Sequence, residues 1–96
     1  LADMTTEIEL NRAMAEKFVG KYVNGDLTTE EASMCKLAAS EMQGRVADTS
    51  VQMFGGYGYM KEFPISRAYV DARVQRIYGG TSEIMKELIS RSLVGR

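Results

Sequence analysis

Histidine is absent from this chain of 96 residues, and cysteine occurs once, at Cys35. Without histidine no Ser-His or Cys-His catalytic unit can be assembled within the chain, and a zinc site is not expected. A lone cysteine closes no internal disulfide, which is consistent with a reducing compartment. With Ala32, Ala38 and Ala39 as neighbours, Cys35 is expected to be a small core residue. Charge of one sign is missing too. Twelve basic and 13 acidic side chains leave a net −1, and they are interspersed, so nothing points to nucleic acid or an anionic membrane as a partner. Long apolar runs are also lacking: none approaches the roughly 20 residues that span a bilayer. The opening residues, LADMTTEIEL, have neither a basic leader nor an apolar core, so no signal peptide is visible. They do not start with methionine, and the chain is expected to begin inside a longer protein.

What is present is helical periodicity. Leu1, Met4, Ile8, Ala15, Phe18 and Tyr22 recur at spacings of three and four, interrupted by Asn11, which is either a buried hydrogen-bonding residue or a flank residue. Asn24-Gly25 is a strong helix stop. Thr28-Thr29-Glu30-Glu31 has the form of a capping box, with Thr28 as N-cap and Glu31 reaching back. The helix it opens is expected to run to about Met53 with an inward stripe of Ala32, Cys35, Ala39, Met42, Val46, Thr49 and Met53. Its small residues imply close approach of a neighbouring helix. The sole proline, Pro64, suits the first turn of a third helix, where its missing N–H costs nothing. Ile65, Ala68, Tyr69 and Ala72 give that helix an apolar side through to Tyr78, with Arg67 and Asp71 as an i,i+4 surface pair. Thr81 or Ser82 caps the last helix, which turns Ile84, Leu88 and Ile89 inward. The expectation is an all-α fold, an antiparallel bundle of four helices making one domain over residues 1–96.

Two glycine knots, Gly55-Gly56 with Gly58, and Gly79-Gly80, interrupt the second half of this pattern. Glycines at helix ends let the backbone take positive φ and come close to a ligand. Two such knots suggest a site built from helix ends.

The wording around them resembles the carboxy-terminal helical domain of the acyl-CoA dehydrogenases. The matching pieces are Gln52-Met53-Phe54-Gly55-Gly56-Tyr57-Gly58-Tyr59, Glu62-Phe63-Pro64, Asp71-Ala72-Arg73 and Ile77-Tyr78-Gly79-Gly80-Thr81-Ser82-Glu83-Ile84, in the family's order and spacing. They make the resemblance specific over residues 52–91, and AYVDARVQ followed by IYGGT looks most like the long-chain branch. The resemblance implies part of a flavoenzyme of fatty acid β-oxidation that removes hydrogens from Cα and Cβ of a fatty acyl-CoA. A carboxylate would take the α proton, and FAD the β hydride. By position, Gln52, Met53, Phe54, Gly55 and Gly56 would contact the adenosine-diphosphate half of FAD from a neighbouring subunit. Thr81, Ser82 and Glu83 would contact the cofactor at the start of the last helix, where glycine backbone and unpaired N–H groups suit phosphate or ribose oxygens. Gly80 would lie near the acyl thioester, and Tyr78 is a candidate substrate contact. The implied partners are the acyl-CoA, an electron-transfer flavoprotein as electron acceptor, and further copies of the chain in a tetramer. The implied compartment is a bacterial cytoplasm or a mitochondrial matrix.

One departure bears on catalysis. Many family members carry their catalytic glutamate where this chain has Gly79, which removes no proton. In the long-chain branch the base comes from an earlier helix, here upstream of Leu1, so no catalytic residue is expected in this chain and the segment alone is expected to be inactive. Glu62 and Glu83, the nearest carboxylates, are not expected to substitute: Glu83 lies a turn further on, and Glu62 is expected to pair with an arginine. Arg76 stands where the long-chain type often has proline. Two other readings remain, a non-enzymatic assembly module of this fold and an acyl-CoA oxidase.

Overall fold

A computed structural model of the protein describes residues 1–95 and contains four helices: α1 (Ala2–Val23), α2 (Thr29–Phe54), α3 (Pro64–Arg73) and α4 (Ser82–Val94). No strand occurs among the described residues. Helix α1 ends at Asn24, where Gly25 at φ +78° lets the chain turn back and Asp26 N–H donates to the Lys21 carbonyl at 2.8 Å. The capping box forms as expected. Glu31 N–H donates to Thr28 Oγ1 at 3.2 Å, and Thr28 N–H donates to Glu31 Oε1 at 3.1 Å. Glu31 also pairs with Lys21 across the loop. Further along, Arg45 meets Glu7 at 2.6 Å and Ser50 lies against the Met4 sulfur at 3.9 Å, so α1 and α2 run antiparallel.

Helix α2 is the element every other helix packs on. Its buried residues are Ser33, Ser40 and Ala47, two turns apart on one line. This line is rotated by one residue from the expected stripe, of which Ala32, Thr49 and Met53 are exposed and Cys35 is only half-buried. The reason is hydrogen bonding within the helix. Ser33 Oγ donates to the Thr29 carbonyl at 2.8 Å and Ser40 Oγ to the Lys36 carbonyl at 2.6 Å, so both hydroxyls enter the interior already satisfied. On α1 the expected face holds at its centre, with Phe18 buried and Met4, Ile8 and Ala15 half-buried, while Leu1 and Tyr22 at its ends are exposed. Asn11 is half-buried, and its Nδ2 donates to the Glu7 carbonyl at 2.9 Å.

The link from α2 to α3 is a 3₁₀ turn, Gly55–Tyr59, which presses onto the end of α2 at Gly58. A Cβ at Gly58 would stand 2.5 Å from the Val51 carbonyl oxygen, and the residue is buried. Pro64 opens α3 as expected, behind an extended Phe63 whose ring centroid lies 5.1 Å from that of Tyr57. Helix α3 ends at Arg73 and not at Tyr78, and the chain tightens into a 3₁₀ turn over Val74–Arg76. No glycine or proline marks this end. The tightening accompanies a tie from Arg76 to Glu41, 35 residues away, which no local pattern carries. The Arg67–Asp71 pair does not form among the described residues. Arg67 Nη1 instead donates to the Lys61 carbonyl at 2.6 Å, in the turn before α3. In α4 the buried residues are Ser82 and Met85; Leu88 and Ile89 are half-buried, and Ile84 is exposed, contrary to expectation.

The packing is thin for the chain's length. The radius of gyration is 15.6 Å, where about 12.5 Å is usual for a compact domain of this size. The accessible surface is 6852 Å², against about 5,500 Å² for a monomer of this mass. Leu10, Val19, Tyr22, Val23, Val70 and Leu93 are each more than 60% exposed, so large apolar side chains lie open on α1, α3 and α4.

Gly58→Ala pushes a methyl group against backbone that cannot swing aside. It is expected to lower unfolding stability by about 1–3 kcal/mol in a urea titration. Gly56→Ala is the control: nothing lies within 4 Å of its added methyl and its φ is not positive, so it is expected to stay within about 0.5 kcal/mol of the wild type.

Candidate functional site

The first glycine knot is the carboxyl end of α2. Gln52, Met53, Phe54, Gly55 and Gly56 are all exposed, and Gly55, at φ +64°, ends the helix with its N–H on the Gln52 carbonyl. A Cβ added at Gly55 or Gly56 would meet nothing within 4 Å, so bare backbone faces open space there.

The second knot is the turn from Tyr78 to Glu83. Gly79 and Gly80 have φ of +66° and +108°, conformations that favour glycine. Gly79 and Tyr78 are exposed, and Gly80 is half-buried over the Met85 methyl group. Thr81 is the N-cap of α4, its Oγ1 accepting from Ile84 N–H at 3.2 Å. Ser82 is buried and Glu83 exposed. The N–H groups of Thr81, Ser82 and Glu83 have no partner among the described residues. They are three donors beside exposed glycine backbone, at the positive end of a helix dipole.

Three side chains hold this turn, and sequence reasoning assigned none of them to it. Lys36 Nζ donates to the Gly80 carbonyl. Ser82 Oγ donates to Glu41 Oε1 at 2.8 Å, and Arg76 Nη1 meets Glu41 Oε2 at 3.2 Å. The Ser82 hydroxyl, followed by the Arg76 guanidinium, keeps the Glu41 carboxyl below its ordinary pKa of 4.5 despite partial burial. The Arg76 guanidinium lies over Gly44, where an added Cβ would be in ordinary contact with it at 3.5 Å. Glu41, Arg73, Arg76, Thr81, Ser82 and Glu83 line a cleft of 120 Å³. Lys36 and Glu41 carry no local signal, because their partners lie 44 and 41 residues away. Arg76 stood out only as a replacement for proline.

The two knots do not come together. Glu41, the anchor of the second, lies 14 residues before Gly55, or about 21 Å along the axis of α2. The chain therefore presents two separate backbone platforms in place of one site built from helix ends. Glu62 is exposed and enters no ion pair among the described residues, so the expected arginine partner is not found. Among the described residues no cluster of three metal-ligating side chains forms, and no helix is long and apolar enough to cross a membrane.

The chain belongs to the acyl-CoA dehydrogenases, and its four-helix all-α fold is that of their carboxy-terminal domain. The family model described as "Acyl-CoA dehydrogenase, C-terminal domain" matches residues 1–94. The mitochondrial long-chain specific acyl-CoA dehydrogenase of Sus scrofa is 53% identical over 98% of this chain, in agreement with the long-chain likeness of AYVDARVQ and IYGGT. The crystal structure of an acyl-CoA dehydrogenase from Geobacillus kaustophilus superposes with a TM-score of 0.93 at 43% identity over 96% of this chain. A chain in the structure described as the electron transferring flavoprotein of Acidaminococcus fermentans matches at 0.93 and 36% identity over 99% of this chain. The chain spans 22–25% of the length of these relatives.

The Glu41 tie makes stability depend on pH in a defined direction. A carboxylate whose pKa is depressed in the folded state stabilises it above the unfolded value near 4.5, and that contribution fades as pH falls through the lowered folded value. Glu41→Gln is expected to melt below the wild type at pH 7. The gap between the two should begin to narrow as the pH is taken below the unfolded value near 4.5 and close once it has passed the lowered folded value, read in a thermal melt series.

Proposed function

We propose that residues 1–96 are one helical domain, the carboxy-terminal part of a longer FAD-dependent acyl-CoA dehydrogenase acting on fatty acyl-CoA thioesters. The single observation that carries this reading is the coincidence of motif and open backbone. Within the stretches that match the family's cofactor motif, Gly55 and Gly56 have uncovered backbone, and the N–H groups of Thr81, Ser82 and Glu83 have no partner among the described residues. These donors fit FAD, whose phosphate, ribityl and ring carbonyl oxygens are acceptors. When bound, FAD supplies the hydride acceptor for the β carbon of the substrate.

The chain's own residues do the holding. At the first platform, Gly55 and Gly56 allow backbone approach to the adenosine-diphosphate half of a cofactor bound mainly by a neighbouring subunit, with Gln52, Met53 and Phe54 beside it. At the second, the N–H groups of Thr81, Ser82 and Glu83 donate to the cofactor, and Gly80 and Tyr78 stand at the acyl thioester. The separation of the platforms along α2 supports contact with two cofactors from different subunits. Gly79 leaves its position without a proton acceptor, so the base that takes the α proton is assigned to a helix upstream of Leu1.

The apolar faces left open by α1 and α4 support burial against the rest of the chain and against further subunits, in a tetramer. The likeness to a chain from an electron transferring flavoprotein structure supports such a flavoprotein as electron acceptor. Relatives named as mitochondrial and relatives from bacteria support a mitochondrial matrix or a bacterial cytoplasm as the compartment.

The test is the visible absorption of the full-length protein before and after a straight-chain acyl-CoA is added without oxygen. Flavin bands that bleach on addition are the expected outcome. Bands that persist would leave a flavin-binding assembly module, and a colourless protein would remove the cofactor reading. Rapid recovery of bleached bands in air would mark an oxidase instead of a dehydrogenase.

A further inference from the structure

The turn between Gly79 and Ser82 is built from the residues least able to hold a backbone still. Gly79 and Gly80 both sit at positive φ, and without a Cβ the peptide plane between them can turn over at little steric cost, while the next plane, Gly80–Thr81, can tilt about the unhindered Gly80 ψ within the range that Thr81, at φ −68°, allows. The plane joining Gly80 to Thr81 matters most here. Its N–H is one of the unpartnered donors, and its carbonyl is the group that Lys36 holds. The peptide is trans and planar, so its C=O and N–H point in opposite directions. Fixing the carbonyl on the α2 side therefore fixes the Thr81 N–H on the side away from α2.

We propose that Lys36 is a positioning residue that sets this plane and aims the Thr81 N–H at the oxygen-bearing ligand bound over the turn. The inference rests on the reading of this turn as part of a flavin and acyl-thioester site. It goes beyond that reading by assigning the orientation of the donor to a residue outside the glycine motif. The bond is charge-assisted, the stronger class of hydrogen bond. Glu41 grips the next residue but one through the Ser82 side chain, which holds the start of α4 and leaves the Gly80–Thr81 plane able to tilt about Gly80. Lys36 alone, among the described side chains, bonds to that plane.

The experiment compares Lys36→Met, which keeps the length and apolar stem, and Lys36→Arg, which keeps the charge and the donor, in the full-length protein. Each is crystallised, and each is followed by visible spectrum and by steady-state kinetics with an acyl-CoA. The expected result for Lys36→Met is an unchanged helical fold with the Gly80–Thr81 peptide tilted away from its wild-type orientation or in two orientations. Its flavin band should shift, and its kcat should fall roughly tenfold to a hundredfold with a smaller change in KM. Lys36→Arg should restore the wild-type plane and most of the rate. If Lys36→Met does not fold, Lys36→Gln takes its place in the same comparison. A wild-type peptide orientation in the neutral variant would overturn the proposal, whatever the rate. A tilted peptide with an unaltered flavin band and kcat would also overturn it, because the plane would then serve no ligand. Should the wild-type protein bind no flavin, the cofactor reading falls by itself, and the aim of the N–H falls with it, while the crystal comparison still decides whether Lys36 holds the plane.

Discussion

The other three helices all pack on α2, and the buried line of that helix is narrow. Ser33, Ser40 and Ala47, its buried residues, carry nothing larger than a hydroxymethyl group, and both hydroxyls are returned to the helix's own carbonyls. A wider residue on that line would hold α3 or α4 off the surface, and Lys36 and Glu41 would then no longer reach the turn they secure. Close packing here is a condition for the polar ties, and these ties shape the backbone that meets a ligand.

Those ties are unusual in linking a helix's mid-section to a loop that has little shape of its own. The turn before α4 gains definition from outside: a carbonyl held by Lys36, and a hydroxyl held by Glu41, which Arg76 in turn holds. The first platform is different. It is a helix end closed by its own N–H and braced by the contact of Gly58 with Val51. One platform is thus fixed locally by covalent geometry and close contact. The other is fixed at long range by side chains.

That difference explains what could be read in advance. Helix starts and stops set by short-range chemistry were legible: the Thr28–Glu31 box, Pro64, Asn24-Gly25 and the two glycine pairs all stand where the pattern puts them. The family, the all-α fold and the exposure of both glycine backbones followed from residues adjacent in sequence. Burial was less legible. Serine entered the α2 interface where alanine, cysteine and methionine were expected, because intrahelical bonding removes the cost that usually keeps a hydroxyl out. The end of α3 was misjudged because Arg76 is tied to a residue 35 positions away, and Lys36 and Glu41 were missed for the same reason. Arg67 turned back to the Lys61 carbonyl instead of Asp71, since an open carbonyl in a turn competes with an exposed ion pair worth little.

The spacing of the two platforms along one helix has a mechanical consequence. A helix of 26 residues is stiff over its length, so α2 acts as a beam with one platform near its middle and the other at its tip. A tilt of about 5° pivoting at Glu41 would carry Gly55, about 21 Å away, through roughly 2 Å while hardly moving Ser82. The far end would thus swing while the near end stays seated. Small motions of the bundle would be felt as displacement at the first platform and as rotation at the second, so one rigid element would transmit the same event to its two ends in different forms.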